Sequence, residues 1–218
     1  FIVDRRGLCG LMRVQWETNF YYMMMKNMIR LFPADTRSIY TNLGKTRTIG
    51  MDTDVKVDVT RNVYLYFNLT LQDIRDRQRW FNDEQGTSNP TYNKHVPNIP
   101  AFYYNYGMEY HAEGLIGRRE LSRVYIDVSH VGEFDWGWQM SSLAEERRKW
   151  RIPSNDVFTI GLQQSLWHNN MSLSFELENV FNKENYMEFK MPLPGRTLKA
   201  KLRFNLFRDK LAGGAMSL

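Results

Sequence analysis

The run VYLYFNLTLQ, Val63 to Gln72, sets the pattern from which the architecture follows. Val63, Leu65, Phe67, Leu69 and Leu71 alternate with Tyr64, Tyr66, Asn68, Thr70 and Gln72. Side chains on a strand point to opposite faces in turn. Period-two alternation therefore predicts a strand with one apolar and one polar face. A helix would need apolar residues at spacings of three and four, and that spacing is almost absent from this chain.

The alternation recurs on both sides of that run. Before it, Met12, Val14, Trp16 and Phe20 alternate with Arg13, Gln15, Glu17 and Asn19. A short apolar run spans Met28 to Phe32. Ile49, Met51, Val55, Val57 and Val59 then alternate with Gly50, Asp52, Asp54, Lys56 and Asp58. After it come Phe102 to Tyr110, Val124 to Val128, Phe158 to Leu166, Met171 to Leu177 and Leu198 to Leu206, each interleaved with polar residues. The pattern predicts about nine strands, most near the roughly 9–11 residues of a tilted membrane strand.

The connections alternate in length. Lys26-Asn27, Thr60 to Asn62, Gly114 to Glu120 and Trp167 to Asn170 are short. Pro33 to Gly44, Asp73 to Pro100, Val131 to Asn155 and Asn182 to Gly195 are longer. In an up-and-down sheet, every second connection lies at the same end, so one end carries tight turns and the other long loops. An all-β antiparallel meander of this kind matches the wall of a transmembrane β-barrel. A soluble β-sandwich or barrel binding carbohydrate through its long loops also alternates, but does not need the long loops at one end. Nine strands cannot close with antiparallel pairing throughout. The expectation is therefore an open, partial wall with edges at residues 11–20 and 196–206.

Composition narrows the class further. Twenty-nine Lys and Arg against 24 Asp and Glu give a net charge of +5, far from a nucleic-acid-coating tail. Cys9 is the single cysteine, which excludes an internal disulfide and a Cys-based metal centre. No apolar run approaches the roughly 20 residues of a membrane helix. The opening FIVDRRGLCG lacks the layout of a signal peptide.

Little in the chain points to catalysis. There is no phosphate-cradling glycine loop, no G-x-S-x-G and no cysteine with a histidine partner. Glu109, His111 and Glu113 share one strand face and could in principle ligate a metal, but three polar residues facing a wet lumen are the better account of them. Neither an enzyme nor a cofactor is expected. Lysines lie on the faces opposite the aromatics, unlike a nucleic-acid-binding sheet, and Glu176 and Glu178 share a face with Lys199, Lys201 and Arg203. Ligand contact is expected at the long-loop end, from Arg75, Arg77, Arg79, Trp80, Phe81, Trp136, Trp138 and Arg147. Arg and aromatic side chains most often carry binding energy.

The C-terminal run LSFELENVFNKENYMEFKMPLPGRTLKAKLRFNLF, Leu173 to Phe207, resembles the end of TonB-dependent outer-membrane receptors. The matching positions are Glu178, Asn179, Val180, Phe181, Asn182, Lys183 and Tyr186, then Pro192, Pro194, Gly195 and Arg196, and finally the aromatic Phe207. The stretch NLGKTRTIGMDTDV, with Asn42, Gly44 and Gly50, resembles a second motif of that family. The resemblance covers residues 11–207. It leaves 1–10 unassigned and 208–218 as a tail. It implies a barrel of about 22 strands closed by an N-terminal plug, of which these would be the last nine. It also implies the bacterial outer membrane and uptake of an iron–siderophore, cobalamin or glycan. The implied partners are outer-membrane lipid, the barrel-assembly machinery and the TonB complex, the last through an N-terminal part outside this sequence.

Overall fold

The structure is a computed structural model that describes residues 2–7, 10–27, 29–34, 37–42, 44–80, 88–138, 143–188 and 191–205. The chain runs β1 (Ile2–Arg6), β2 (Arg13–Lys26), β3 (Ile29–Ala34), β4 (Arg37–Asn42), β5 (Lys45–Asp58), β6 (Val63–Asp76), β7 (Phe102–Glu113) and β8 (Leu121–Val131). It continues through β9 (Phe134–Asp135), α1 (Ala144–Lys149), β10 (Arg151–Ile152), β11 (Asn155–Leu166), β12 (Met171–Glu178), β13 (Tyr186–Glu188), β14 (Met191–Pro192) and β15 (Thr197–Phe204). Among the described residues no helix is long and apolar enough to cross a membrane.

Nine of these strands form one antiparallel sheet in the order β1-β2-β5-β6-β7-β8-β11-β12-β15. The order follows the chain, so the sheet is a meander. Among the described residues no pairing joins β1 to β15, and the wall is open. Short turns close one end, at residues 7–12, 59–62, 114–120 and 167–170. Residues 27–44, 77–101, 132–154 and 179–196 make the long connections at the other end.

The register carries the two-faced pattern across the whole sheet. Val14, Val57, Leu65, Met108, Ile126, Ile160, Leu177 and Leu198 stand opposite one another in a single transverse row. The next row, one residue along, is Gln15, Lys56, Tyr66, Gly107, Asp127, Thr159, Glu178 and Thr197. Leu69, Leu173, Phe175, Leu202 and Phe204 share the apolar face of the first row. A one-residue slip would turn every one of these side chains over, so the pattern pins the register.

The apolar face is uncovered. Met108 is 45% exposed, Ile160 44% and Leu198 71%. The other sheets are hairpins of two strands each, and none is a second layer. The sandwich reading required this face to be buried against a second sheet, and among the described residues no such layer covers it, so that reading is not favoured. On the polar face, Lys199 bridges Glu178 at 2.7 Å and Glu176 at 3.5 Å, so opposite charges do pair across β12 and β15.

Two details differ from the sequence reading. Met28 to Phe32 does not contribute a wall strand. Residues Ile29–Ala34 pair with Arg37–Asn42 in a separate hairpin beyond the sheet. β2 pairs directly with β5 as far as Lys26 opposite Lys45, and Asn27 N donates to Gly44 O at 2.6 Å across the base of the hairpin. Pro33, which lacks an N–H, could not serve in a central strand. The first edge is also β1, whose register with β2 runs from Ile2 opposite Glu17 to Arg6 opposite Arg13, and not residues 11–20. Five residues of mixed polarity are too short an alternation to read as a strand.

Tyrosines lie across glycines on the polar face. Tyr66 passes over Gly107 of β7 and donates from its hydroxyl to Asp127 Oδ1 of β8 at 2.7 Å. Tyr125 passes over Gly161 of β11 and donates to Glu176 Oε2 of β12 at 2.5 Å. Tyr21 covers Gly50 in the same way. Each of the first two links three strands, and the missing Cβ is what admits the ring. A Cβ on Gly161 would stand 2.0 Å from Tyr125 Cζ. Gly161→Val should therefore displace the ring and cost about 1–3 kcal/mol in a denaturant titration. Gly137→Ala, with nothing within 4 Å of the added carbon, should stay within about 0.5 kcal/mol of the parent.

Candidate functional site

Function in such a wall is sought at the long-loop end, where irregular backbone is held by a rigid sheet. The connection after β6 folds back on itself around one carboxylate. Asp76 is fully buried, and its Oδ1 accepts from Gln78 N at 2.8 Å. Its Oδ2 accepts from Asn89 Nδ2 at 2.9 Å and from the Thr91 hydroxyl. Asn89 Nδ2 also donates to Gln78 O, and its Oδ1 accepts from Thr91 N. A buried carboxylate needs several donors to replace water, and these three supply them. The asparagine before Pro90 is a turn signal, but its partner Asp76 lies 13 residues away and leaves no local trace.

Above the last apolar row of β6, Asp73 gathers three basic groups. Arg47 Nη2 reaches Asp73 Oδ2 at 2.9 Å, and Arg75 Nε donates to both oxygens at 3.0 Å. His95 Nδ1 lies 3.2 Å from Asp73 Oδ1, while its Nε2 meets Arg75 Nη2 at 3.1 Å.

The predicted loop residues fall into separate groups. Arg75 is held by Asp73 and by Asn93 O at 3.2 Å. Arg77 donates to Asn93 Oδ1 at 2.8 Å and lies 5.5 Å from the Tyr92 ring centroid. Arg79 stacks over Trp80 at 5.6 Å, and Trp80 bridges to Ser88. Trp136 stacks on Trp150 with centroids 5.4 Å apart and planes at 17°, and both rings are exposed. Trp138 is half-buried. Arg147 belongs to α1, and its side chain lies outside the described residues, as does Phe81. Glu109 of the three-residue metal reading is ion-paired with Arg123, which occupies both carboxylate oxygens.

The long connections are tied to one another. Asn98 N donates to Asp135 O at 2.8 Å, joining the loop after β6 to the loop after β8. Asn155 donates to Tyr186 O at 2.5 Å and accepts from Tyr186 N at 2.8 Å. Asp156, also bound by His130, meets Lys183, which joins the start of β11 to the last loop.

The family-motif residues build that last loop. Asn179 and Asn182 both have φ of 52°, a left-handed conformation that asparagine tolerates better than most residues. Buried Asn179 donates to Lys183 O and Pro194 O and accepts from Lys183 N. Asn182 Oδ1 accepts from Arg196 N at 2.9 Å, close over Gly195. Phe181 meets Phe158 edge-on at 4.9 Å. Gly44 has φ of +62° and is packed against Gln78. The Asn42 side chain and Phe207 lie outside the described residues. Among the described residues, Asn179 and Asn182 spend their side-chain amides on backbone groups and so shape the turn.

The sequence model described as TonB dependent receptor-like, beta-barrel matches residues 11–180. No curated protein matches the chain. Among the solved structures that resemble its fold are two uptake receptors. The ferric yersiniabactin uptake receptor FyuA from Yersinia pestis is 14% identical over 87% of this chain and 26% of its own, with a TM-score of 0.58. BauA, the ferric preacinetobactin receptor from Acinetobacter baumannii, is 12% identical over 89% of this chain and 27% of its own, with a TM-score of 0.61. The chain thus spans about a quarter of the length of either structure. With a family match over most of its length on an open antiparallel meander, the chain belongs to the TonB-dependent receptor β-barrel family.

Proposed function

We propose that this chain is the C-terminal wall of an outer-membrane receptor that imports a scarce large ligand, a ferric siderophore before cobalamin or a glycan. The observation that carries the reading is the uncovered apolar row from Val14 to Leu198, eight strands wide, backed by a polar row. Water disfavours so broad an exposed apolar face, and lipid accommodates it. Open edges are not tolerated in lipid, so the wall works as part of a larger closed barrel. The siderophore preference rests on the titles of FyuA and BauA, both ferric siderophore receptors. Energy for uptake would come through TonB, as the family's name implies. The short-turn end faces the periplasm and the long-loop end the outside.

Within the long loops, Arg79, Trp80, Trp136 and Trp138 are the ligand-facing set. Trp150 joins them through its stack on Trp136. Stacked aromatic rings in one loop and a guanidinium over an indole in another suit a large anionic complex.

Ile160→Arg in the intact receptor should cost about 2–4 kcal/mol of folding free energy in phosphatidylcholine vesicles, and Thr159→Arg on the polar face far less. Equal costs would reject the membrane orientation. Trp80→Ala with Trp136→Ala should weaken binding of the ferric siderophore that the receptor imports by roughly tenfold or more, with outer-membrane abundance unchanged. Unchanged iron uptake in a receptor-null strain would reject the loop assignment and leave the wall standing.

A further inference from the structure

The polar face at the long-loop end of β5 and β6 encloses a group of oxygens to which the fold gives no partner. Thr46 stands directly opposite Asp76 in the register, and Thr48 is the next residue of β5 on the same face. Thr46 and Asp76 are fully buried, and Thr48 is 2% exposed. The Thr46 and Thr48 hydroxyl oxygens and Oε1 of Gln78 are buried without a hydrogen-bond partner. Gln78 belongs to the same place. Its N donates to Asp76 Oδ1 at 2.8 Å, and its side-chain amide fills the space that a Cβ on Gly44 would take, just before Thr46 on that face. Directly opposed residues of an antiparallel pair carry Cβ atoms about 4.5–5.5 Å apart, so Thr46 and Asp76 are close neighbours.

Buried polar atoms without partners are costly and rare. Here they gather beside a carboxylate. The groups that donate to Asp76, which are Gln78 N, Asn89 Nδ2 and the Thr91 hydroxyl, are all neutral. They satisfy its lone pairs and leave its charge in the interior. A water molecule would bond the hydroxyls and leave that charge in place. A cation meets both demands. Hard cations take oxygen ligands, and ligands at right angles about an ion at 2.3–2.6 Å stand roughly 3.3–3.7 Å from one another. Oxygens so spaced hold the ion and not each other, in keeping with the lack of hydrogen bonds among these three. The charge count selects the ion. One carboxylate balances one positive charge, and a divalent ion would leave a surplus in the interior.

We propose that Asp76, Thr46, Thr48 and Gln78 form a site for a small monovalent cation, sodium. The ion gives the three oxygens a common partner and cancels the charge of Asp76. It thereby locks the base of the loop after β6, where Asn89 and Thr91 close over the carboxylate. The site is independent of what the loops bind and of the membrane reading.

The test measures hydrogen exchange in the intact protein, folded in detergent micelles, in sodium, potassium or choline chloride at equal ionic strength. With sodium at about ten times its dissociation constant, amides of residues 74–78 and 89–96 should exchange about tenfold more slowly than in choline chloride. Thr46→Val removes the oxygen and keeps the shape. It should abolish the sodium effect while protection in choline chloride is kept or increased. Gln78→Leu, at a half-buried position, should weaken the sodium effect in its own right if Thr46→Val does not fold. Thr159→Val, on the same face of β11, should leave it unchanged. The sodium-23 resonance should broaden with the parent and not with Thr46→Val. Equal exchange of the parent in sodium and choline chloride would overturn the site, as would a full sodium effect in folded Thr46→Val. Potassium acting as strongly as sodium, or calcium acting more strongly at equal ionic strength, would overturn the assignment of the ion.

Discussion

The two-residue period of the strand is the constraint on which everything else here depends. Each backbone hydrogen bond across the sheet also fixes which face a side chain occupies. Once Leu65 stands opposite Met108, the facing of Tyr66, Gly107 and Asp127 is settled with it. Sidedness is therefore a collective property of the wall, held by many cooperating pairs. The apolar face and the tyrosines laid across glycines are both read from that one register.

Much of the wall was legible because this constraint acts locally. Alternation along β6, β7 or β12 is visible in a window of ten residues. Two elements escaped for opposite reasons. β1 is too short for its alternation to rise above chance. Met28 to Phe32 is apolar enough to pass for a wall strand, but Pro33 and the long reach of β2 place the strand from Ile29 in a separate hairpin. Which strand pairs with which is a non-local matter, and hydropathy is blind to it.

The loop end was legible only as a list of residue types. Arg75, Arg77 and Arg79 sit at alternate positions in sequence, yet their surroundings differ: Asp73, His95 and the Asn93 carbonyl for Arg75, the Asn93 side chain and Tyr92 for Arg77, and Trp80 for Arg79. The Asp76, Asn89 and Thr91 cluster that shapes this loop draws on residues up to 15 apart. The family resemblance of the stretch from Asn179 to Tyr186 likewise says nothing of its use. In space those asparagines close turns and bind backbone groups, so their signature reports the path of the chain and not its cargo.

The hydrogen bonds that tie the long connections together have a thermodynamic consequence. The loop after β6 is joined to the loop after β8 through Asn98 and Asp135, and the base of β11 is joined to the last loop through Asn155 and Asp156. Segments so linked surrender much of their conformational entropy when the wall folds. A guest arriving later has little disorder left to quench, so less of its contact energy is spent on ordering the host. Such a surface rewards guests whose outline it already fits and penalises those that would need it to rearrange. Any selectivity of the proposed ligand surface would then reside in a shape set at folding.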